Sequence, residues 1–261
     1  MLELKNVTKI FNKGSIDEKV VLSNLNLNVE DGDFITIIGS NGTGKSTLFN
    51  CIAGSILIDE GQILLDNVDI SKVKEHKRAK YIGRVFQNPM LGTCPNLTIL
   101  ENLSLSYMHT FNKKYLSRLN KNDLAIIKEK CKELDMGLEE RLNTPIGLLS
   151  GGQRQALTLL MATFAKPKIL LLDEHTAALD PKTSEKIMDI TKNIVEKYHI
   201  TTLMITHNIN NALNTGNKTI VLNDGKVYKI LGEERKNYSY KDILKLYESS
   251  KDGVSDRDLL F

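Results

Sequence analysis

Gly39-Ser40-Asn41-Gly42-Thr43-Gly44-Lys45-Ser46-Thr47 is the stretch whose reading decides the fold. Its order, Gly, four residues, then Gly-Lys-Ser, is that of a phosphate-binding loop. Glycines let the backbone curl until its N–H groups point inward and form a nest for phosphate oxygens. Lys45 adds a mobile positive charge for the β- and γ-phosphates, and the Ser46 hydroxyl suits Mg2+. The flanks agree. Phe34–Ile38 is a short apolar run expected to form a buried strand, and Lys45–Ala53 is expected to be a helix ended by Gly54. A phosphate at that helix N-terminus also meets the positive end of the helix dipole.

Outward from the loop, strand and helix patterns alternate. Residues 2–10 and 25–29 alternate apolar and polar as half-buried strands do, with a polar, hairpin-like loop at 12–19. Residues 60–67 read as turn, strand and turn, and 71–80 as a basic, solvated helix. Residues 81–86 are a strand ending at Gln87-Asn88-Pro89. From 97 to 165 the pattern is helical, with Leu124, Ile127, Cys131 and Leu134 on one face and Ser150 able to cap a helix carrying Leu157, Leu160, Met161 and Phe164. Residues 168–174 are a buried strand ending in Asp173 and Glu174. Ile187, Ile190, Ile194 and Tyr198 mark a further helix, 201–206 a strand followed by His207, and Asn223-Asp224-Gly225-Lys226 a hairpin turn. The alternation assigns the chain to the α/β class. A core of about residues 1–89 and 166–232 is expected, with an inserted helical subdomain at about 90–165. The tail from about 233 to 261 is charged and weakly patterned, with no task assigned.

Bulk properties exclude several classes. With 261 residues, 41% hydrophobic and 26% charged, the composition is that of a globular protein. A net charge of +3 is too small to argue for nucleic acid or a charged membrane surface. Cys51, Cys94 and Cys131 have no metal-ligand spacing and are expected to be reduced thiols. The first residues lack a signal-peptide layout, and no apolar run approaches the roughly 18 residues of a transmembrane helix. Work at a membrane would need a partner to supply the membrane part.

Two constellations carry the chemistry. Asp173 closes an apolar strand and can hold Mg2+ at the strand's C-terminal edge, where ligands of α/β sheets bind. Glu174 would point differently and could orient or deprotonate a water attacking the γ-phosphorus. Leu149-Ser150-Gly151-Gly152-Gln153 is the second: two glycines after a capping serine expose N–H groups at a helix N-terminus, a further anion site. Since the phosphate loop already serves one nucleotide, this site implies either another ligand or another chain's nucleotide.

In this order the motifs resemble those of the ATP-binding subunits of ABC transporters, over nearly the whole chain: the loop 39–47, Gln87, Leu149 to Gln153, 169–174, Ala178-Leu179-Asp180 and His207. The resemblance implies a P-loop NTPase core, RecA-like, with an antiparallel β subdomain and an inserted α-helical subdomain, ABC ATPase type. It implies ATP and Mg2+ as cofactors and a head-to-tail homodimer. Each ATP would lie between the phosphate loop of one chain and Ser150, Gly151, Gly152 and Gln153 of the other. Phe11 then resembles the aromatic that stacks on adenine, and Gln87 the residue that touches Mg2+ or the attacking water and reports to the membrane subunit. Asp180 resembles the cross-dimer loop residue, and His207 the γ-phosphate contact that holds Glu174 and its water. The catalytic set is therefore Glu174, His207 and Gln87, with Ser46, Gln87 and Asp173 toward the metal.

One position departs from the family pattern, which usually has proline after the catalytic glutamate. Here it is His175. Proline restricts a turn and supplies no donor, whereas histidine could add a hydrogen bond or a titratable group. The preferred expectation is a subfamily variant of the same turn, with His175→Pro leaving turnover nearly unchanged. Residues 86–93, 97–103 and 174–180 resemble the ATPase component of bacterial importers, within these a group linked to aromatic amino acids and related small solutes. This implies a peripheral protein at the cytoplasmic face of the cell membrane that powers a permease, with an extracellular solute-binding protein acting through that permease. The alternatives are a soluble ABC ATPase, such as one for iron–sulfur assembly, and an exporter or lipoprotein-release ATPase.

Overall fold

The computed structural model describes residues 1–110 and 119–249. Residues 111–118 of the expected helical stretch and 250–261 of the tail lie outside the described residues. The chain divides into two compact units, Met1–Ala79 with Thr201–Phe261, and Lys80–Ile200.

The first unit opens with β1 (Leu2–Phe11), β2 (Lys19–Val29), β3 (Phe34–Ile38), α1 (Lys45–Ala53), β4 (Glu60–Leu65), β5 (Val68–Asp69) and the single turn α2 (Glu75–Arg78). An antiparallel sheet of order β2-β1-β4-β5 is set by alternation. Leu2 pairs with Val29 on one side and Leu65 on the other, and Leu4 with Leu27 and Ile63, so their apolar side chains share the buried face. β2 begins at Lys19, six residues before the alternating run, because register shifts around Val7 and Lys9 break the period without breaking the pairing. The basic segment 71–80 departs from expectation. It forms one helical turn, and Arg78 is only 2% exposed. Its guanidinium donates to the carbonyls of Cys51, Ile52 and Val73, each at 2.7 Å, and of Ser71 at 3.1 Å. Those of Cys51 and Ile52 belong to the last turn of α1, where helical partners run out, and the five-donor fork satisfies them.

The second unit holds β6 (Ile82–Val85), α3 (Ile99–Thr110), α4 (Lys121–Lys132), α5 (Gly151–Thr163), β7 (Ile169–Asp173) and α6 (Pro181–Tyr198). β6 and β7 are parallel, with Val85 opposite Leu172. β7 reads as a continuous apolar run because Ile169 through Leu172 are all buried. In α4, Ile127 and Cys131 are buried as expected, and so is Leu134 just beyond it, but Leu124 is 38% exposed. The inward face is rotated toward Asp123, whose carboxylate accepts from Tyr107 Oη at 2.6 Å and from Asn120 N at 3.0 Å, so Leu124 falls beside the face rather than on it.

The chain then returns to the first unit with β8 (Thr201–Ile205), α7 (Ile209–Asn214), β9 (Lys218–Asn223), β10 (Lys226–Leu231) and α8 (Tyr240–Ser249). β3 lies between β8 and β9, parallel to both: Ile37 is opposite Ile205 and Ile220. β10 runs antiparallel to β9 through a turn whose Asp224 and Gly225 both have positive φ, as a two-residue hairpin requires. The tail also departs from expectation. Ile243 of α8 is fully buried in a cluster with Ile38, Ile209, Leu213, Val221 and Leu231. Arg235 reaches the carbonyls of Leu213, Gly216 and Asn217. Burial pushes the thiols of Cys51 and Cys131 up to about 11 and about 12, while Cys94 is exposed. The backbone of Cys94 is held by Asn102, which accepts from its N–H at 2.8 Å and donates to its carbonyl at 3.1 Å. No helix among the described residues is long and apolar enough to cross a membrane.

Candidate active site

In the first unit, the loop 39–44 joins buried β3 to α1. Gly39 must be glycine because a Cβ there would meet the carbonyl oxygen of Leu222 at 2.5 Å. Gly44 is the N-cap of α1 at φ 96°, a left-handed backbone open to glycine, and no side chain caps the helix. No acidic residue stands in its first turn, so the helix N-terminus suits an anion. Lys45 is 6% exposed and curls back, donating to Gly39 O at 2.7 Å and Ser40 O at 2.9 Å. The Thr43 hydroxyl donates to Ser40 O at 2.9 Å, and Gly225 N donates to Thr43 O at 3.2 Å, so the β9–β10 turn braces the loop from behind. Asn41, Gly42 and Ser46 are exposed and Thr47 half-buried.

His207 belongs to the same edge. It lies two residues beyond Ile205 of β8, as Gly39 lies two beyond Ile37 of β3, and these two residues are paired. Thr206 N donates to Ile37 O, and Asn208 caps α7, so exposed His207 sits between two fixed neighbours. Phe11 ends β1, half-buried, with Lys9 Nζ 5.6 Å from its ring centroid.

The second unit repeats the arrangement. Gln87 lies two residues past Val85 and Glu174 two past Leu172, at the C-terminal ends of paired parallel strands. Gln87 is exposed and Asp173 half-buried. Arg84 is the counter-charge to Asp173, at 3.6 Å, and its guanidinium also lies 4.5 Å from the centroid of Phe86. Sequence reasoning missed Arg84; a charge inside an apolar strand is the signal that points to it. Glu174 has φ 47°, a left-handed backbone uncommon for a residue with a side chain, and its carbonyl accepts from Ala177 N at 2.9 Å.

Ser150 caps α5 in a capping box: its hydroxyl accepts from Gln153 N, and the Gln153 side chain accepts from Ser150 N, both at 3.2 Å. Ser150 and Gly151 are exposed, whereas Gly152 is buried, and a Cβ there would meet Thr183 Cγ2 at 2.3 Å. Asp180 caps α6 by accepting from Thr183 N at 3.1 Å, and these Thr183 hydrogen bonds hold its carboxyl below the usual carboxylate range.

His175 makes a hydrogen bond where a proline would offer none. It is 2% exposed, with Nε2 3.1 Å from Thr191 Oγ1. Burial pushes the imidazole from its ordinary value near 6.5 down to about 4. Because the folded state disfavours the proton, the stability held by neutral His175 is complete above pH 6.5. It is lost progressively as pH falls from 6.5 to 4. The loss expected across that window is about 3 kcal/mol. Denaturant melts of nucleotide-free, Mg2+-free protein across this range check it: His175→Leu should flatten that limb of the profile.

The chemistry of the donors fits ATP with Mg2+. Backbone N–H groups and Lys45 suit phosphate, and the oxygens of Ser46, Asp173 and Gln87 are the hard ligands Mg2+ prefers.

Comparison with known proteins agrees. Residues 22–177 match the family model described as ABC transporter. A "Tyrosine transport ATP-binding protein" of Clostridioides difficile is 45% identical over 251 residues, covering 95% of this chain and 99% of that protein. A "Spermidine/putrescine import ATP-binding protein" of Spiroplasma citri is 35% identical over 232 residues, 88% of this chain and 61% of that one. A solved dimeric ATP-binding cassette, in a post-hydrolysis state bound to ADP and Pi, is similar with a TM-score of 0.76 at 34% identity, covering 89% of this chain and 98% of that one.

Proposed function

The chain belongs to the ABC transporter family, with its P-loop NTPase fold and ATP hydrolysis coupled to transport, and from that premise we propose that it powers the import of an amino acid through a membrane permease. The observation that carries the solute class is the end-to-end similarity to a tyrosine transport protein, at 45% identity over 95% of this chain. Similarity to a polyamine import protein supports the inward direction.

Our assignment of roles follows the two strand edges. Residues 39–47 bind the phosphates and Phe11 stacks on adenine. Ser46 and Asp173, with Gln87, would hold Mg2+, which neutralises phosphate charge when bound. Glu174 takes the proton of the attacking water, and His207 contacts the γ-phosphate. Ser150, Gly151, Gly152 and Gln153 meet the nucleotide of a second copy, beside that copy's Asp180 loop. The dimeric relative supports a pairing of two copies. Residues 87–103 contact the permease, through which an extracellular solute-binding protein acts, and the chain works at the cytoplasmic face of the membrane. Positioning and charge stabilisation carry most of the rate.

Labelled-solute uptake by cells lacking this chain checks the solute, with competing tyrosine, tryptophan and spermidine. Loss of tyrosine uptake, restored by the wild-type gene and not by Glu174→Gln, is the expected result. Unchanged amino-acid uptake with lost polyamine uptake would reassign the solute. Absence of any membrane protein in a pull-down would favour a soluble ATPase.

A further inference from the structure

The loop between β7 and α6 carries Glu174 at one end and Asp180 at the other. His175 is its one buried side chain between residues 174 and 180. Its Nε2 is 3.1 Å from Thr191 Oγ1, sixteen residues on in α6. The Thr191 hydroxyl itself donates to the carbonyl of Ile187 at 2.7 Å. A threonine hydroxyl has one proton to give, so toward His175 it offers only a lone pair. The bond therefore runs from His175 Nε2–H to Thr191 Oγ1, and it fixes the tautomer. The far end of the loop hangs on the same helix, through Asp180 and Thr183 N.

Glu174 needs such support. Its φ of 47° lies in the left-handed region, which a residue with a side chain enters at a cost. We propose that His175 is a positioning residue: its hydrogen bond to Thr191 anchors to α6 the turn that carries Glu174, and so holds the carboxylate in its working orientation. The proposal rests on the assignment of Glu174 as the base. It also explains how the loop can do without a proline at 175, since a buried donor on a fixed acceptor replaces a ring that fixes φ. A proline variant does not test the bond, because the ring can hold the turn by its own means.

The test uses the full chain with four substitutions. Thr191→Val keeps the shape and removes the acceptor, and His175→Leu fills the site and removes the donor. Thr191→Ser keeps the acceptor, and His175→Gln keeps an N–H donor at similar reach. The first two should lower kcat about tenfold while KM for Mg-ATP stays within about twofold, since misplacing a reacting group costs turnover rather than binding. The serine and glutamine variants should stay within about threefold of wild type. Nitrogen-15 NMR of the histidines reads the bond directly: His175 should be the Nε2–H tautomer in wild type and a mixture in Thr191→Val. An Nδ1–H tautomer in the wild-type protein overturns the proposal, even if a variant fails to fold. So does folded Thr191→Val with wild-type kcat, or a glutamine variant as slow as the leucine one. Failure of the base assignment reads separately, as Glu174→Gln hydrolysing ATP at the wild-type rate.

Discussion

Glu174→Gln should lower steady-state Mg-ATP hydrolysis by roughly 10²–10³-fold while leaving ATP binding in place. The substitution changes no shape. The left-handed backbone at 174 and the bond from Ala177 N to its carbonyl belong to the main chain and survive. What is lost is the ability to take a proton from water, since an amide oxygen is far less basic than a carboxylate. Bound ATP should persist, and a sizing column run with Mg-ATP should show a dimer that wild type shows only briefly. Hydrolysis at the wild-type rate would remove Glu174 from the mechanism. Loss of hydrolysis without dimerisation would leave the base in place and count against a sandwich formed by the isolated chain.

Lys45→Ala should act one step earlier. It should weaken ATP binding by about 10²-fold, as the loss of a strong hydrogen bond to a charged group does. The ammonium donates to the carbonyls of Gly39 and Ser40. These are weaker partners than phosphate oxygens, because the ammonium meets a full negative charge on phosphate and only a carbonyl dipole in the loop. ATP therefore gains a cation already aimed at the loop. The fold should survive, since Thr43 to Ser40 and Gly225 to Thr43 hold the loop without Lys45. Titration with a fluorescent ATP analogue, beside a thermal melt, separates the two effects. A melt unchanged with binding lost is the expected pair; binding at wild-type affinity would move the nucleotide elsewhere.

The two predictions divide binding from chemistry, and the residues behind both were legible in the sequence for the same reason. A phosphate nest needs glycines and a lysine at fixed spacing, and a carboxylate at the end of an apolar strand, idle by itself, gains a use beside such a nest. Strand β3 and helix α1 were legible because burial on all sides leaves an unbroken apolar run, and Gly54 ends the helix in a left-handed cap. What escaped depends on partners distant in the chain. Arg78 looked solvated because charged side chains usually are. That four carbonyls wait for it is visible only once α1 and the 71–73 segment meet. Leu124 missed the core by a small rotation, caused by a buried carboxylate that no periodicity records. The tail hid α8, because Ile243 and Leu246 stand in a short, highly charged segment. His175 stands out in the sequence as a departure, but its acceptor sixteen residues away does not.

The unequal thiols have a practical consequence. With Cys51 and Cys131 sealed in the interior and held as neutral thiols far above neutral pH, a maleimide or nitroxide reagent at pH 7 has one target, Cys94. The natural chain is thus already a single-label protein. The label would sit on a backbone tied at both its amide and its carbonyl to Asn102, between Gln87 and α3. Its spectrum would follow that segment rather than the tumbling of a loose loop. Movement of the region proposed to face the permease can be watched through a nucleotide cycle without changing a residue.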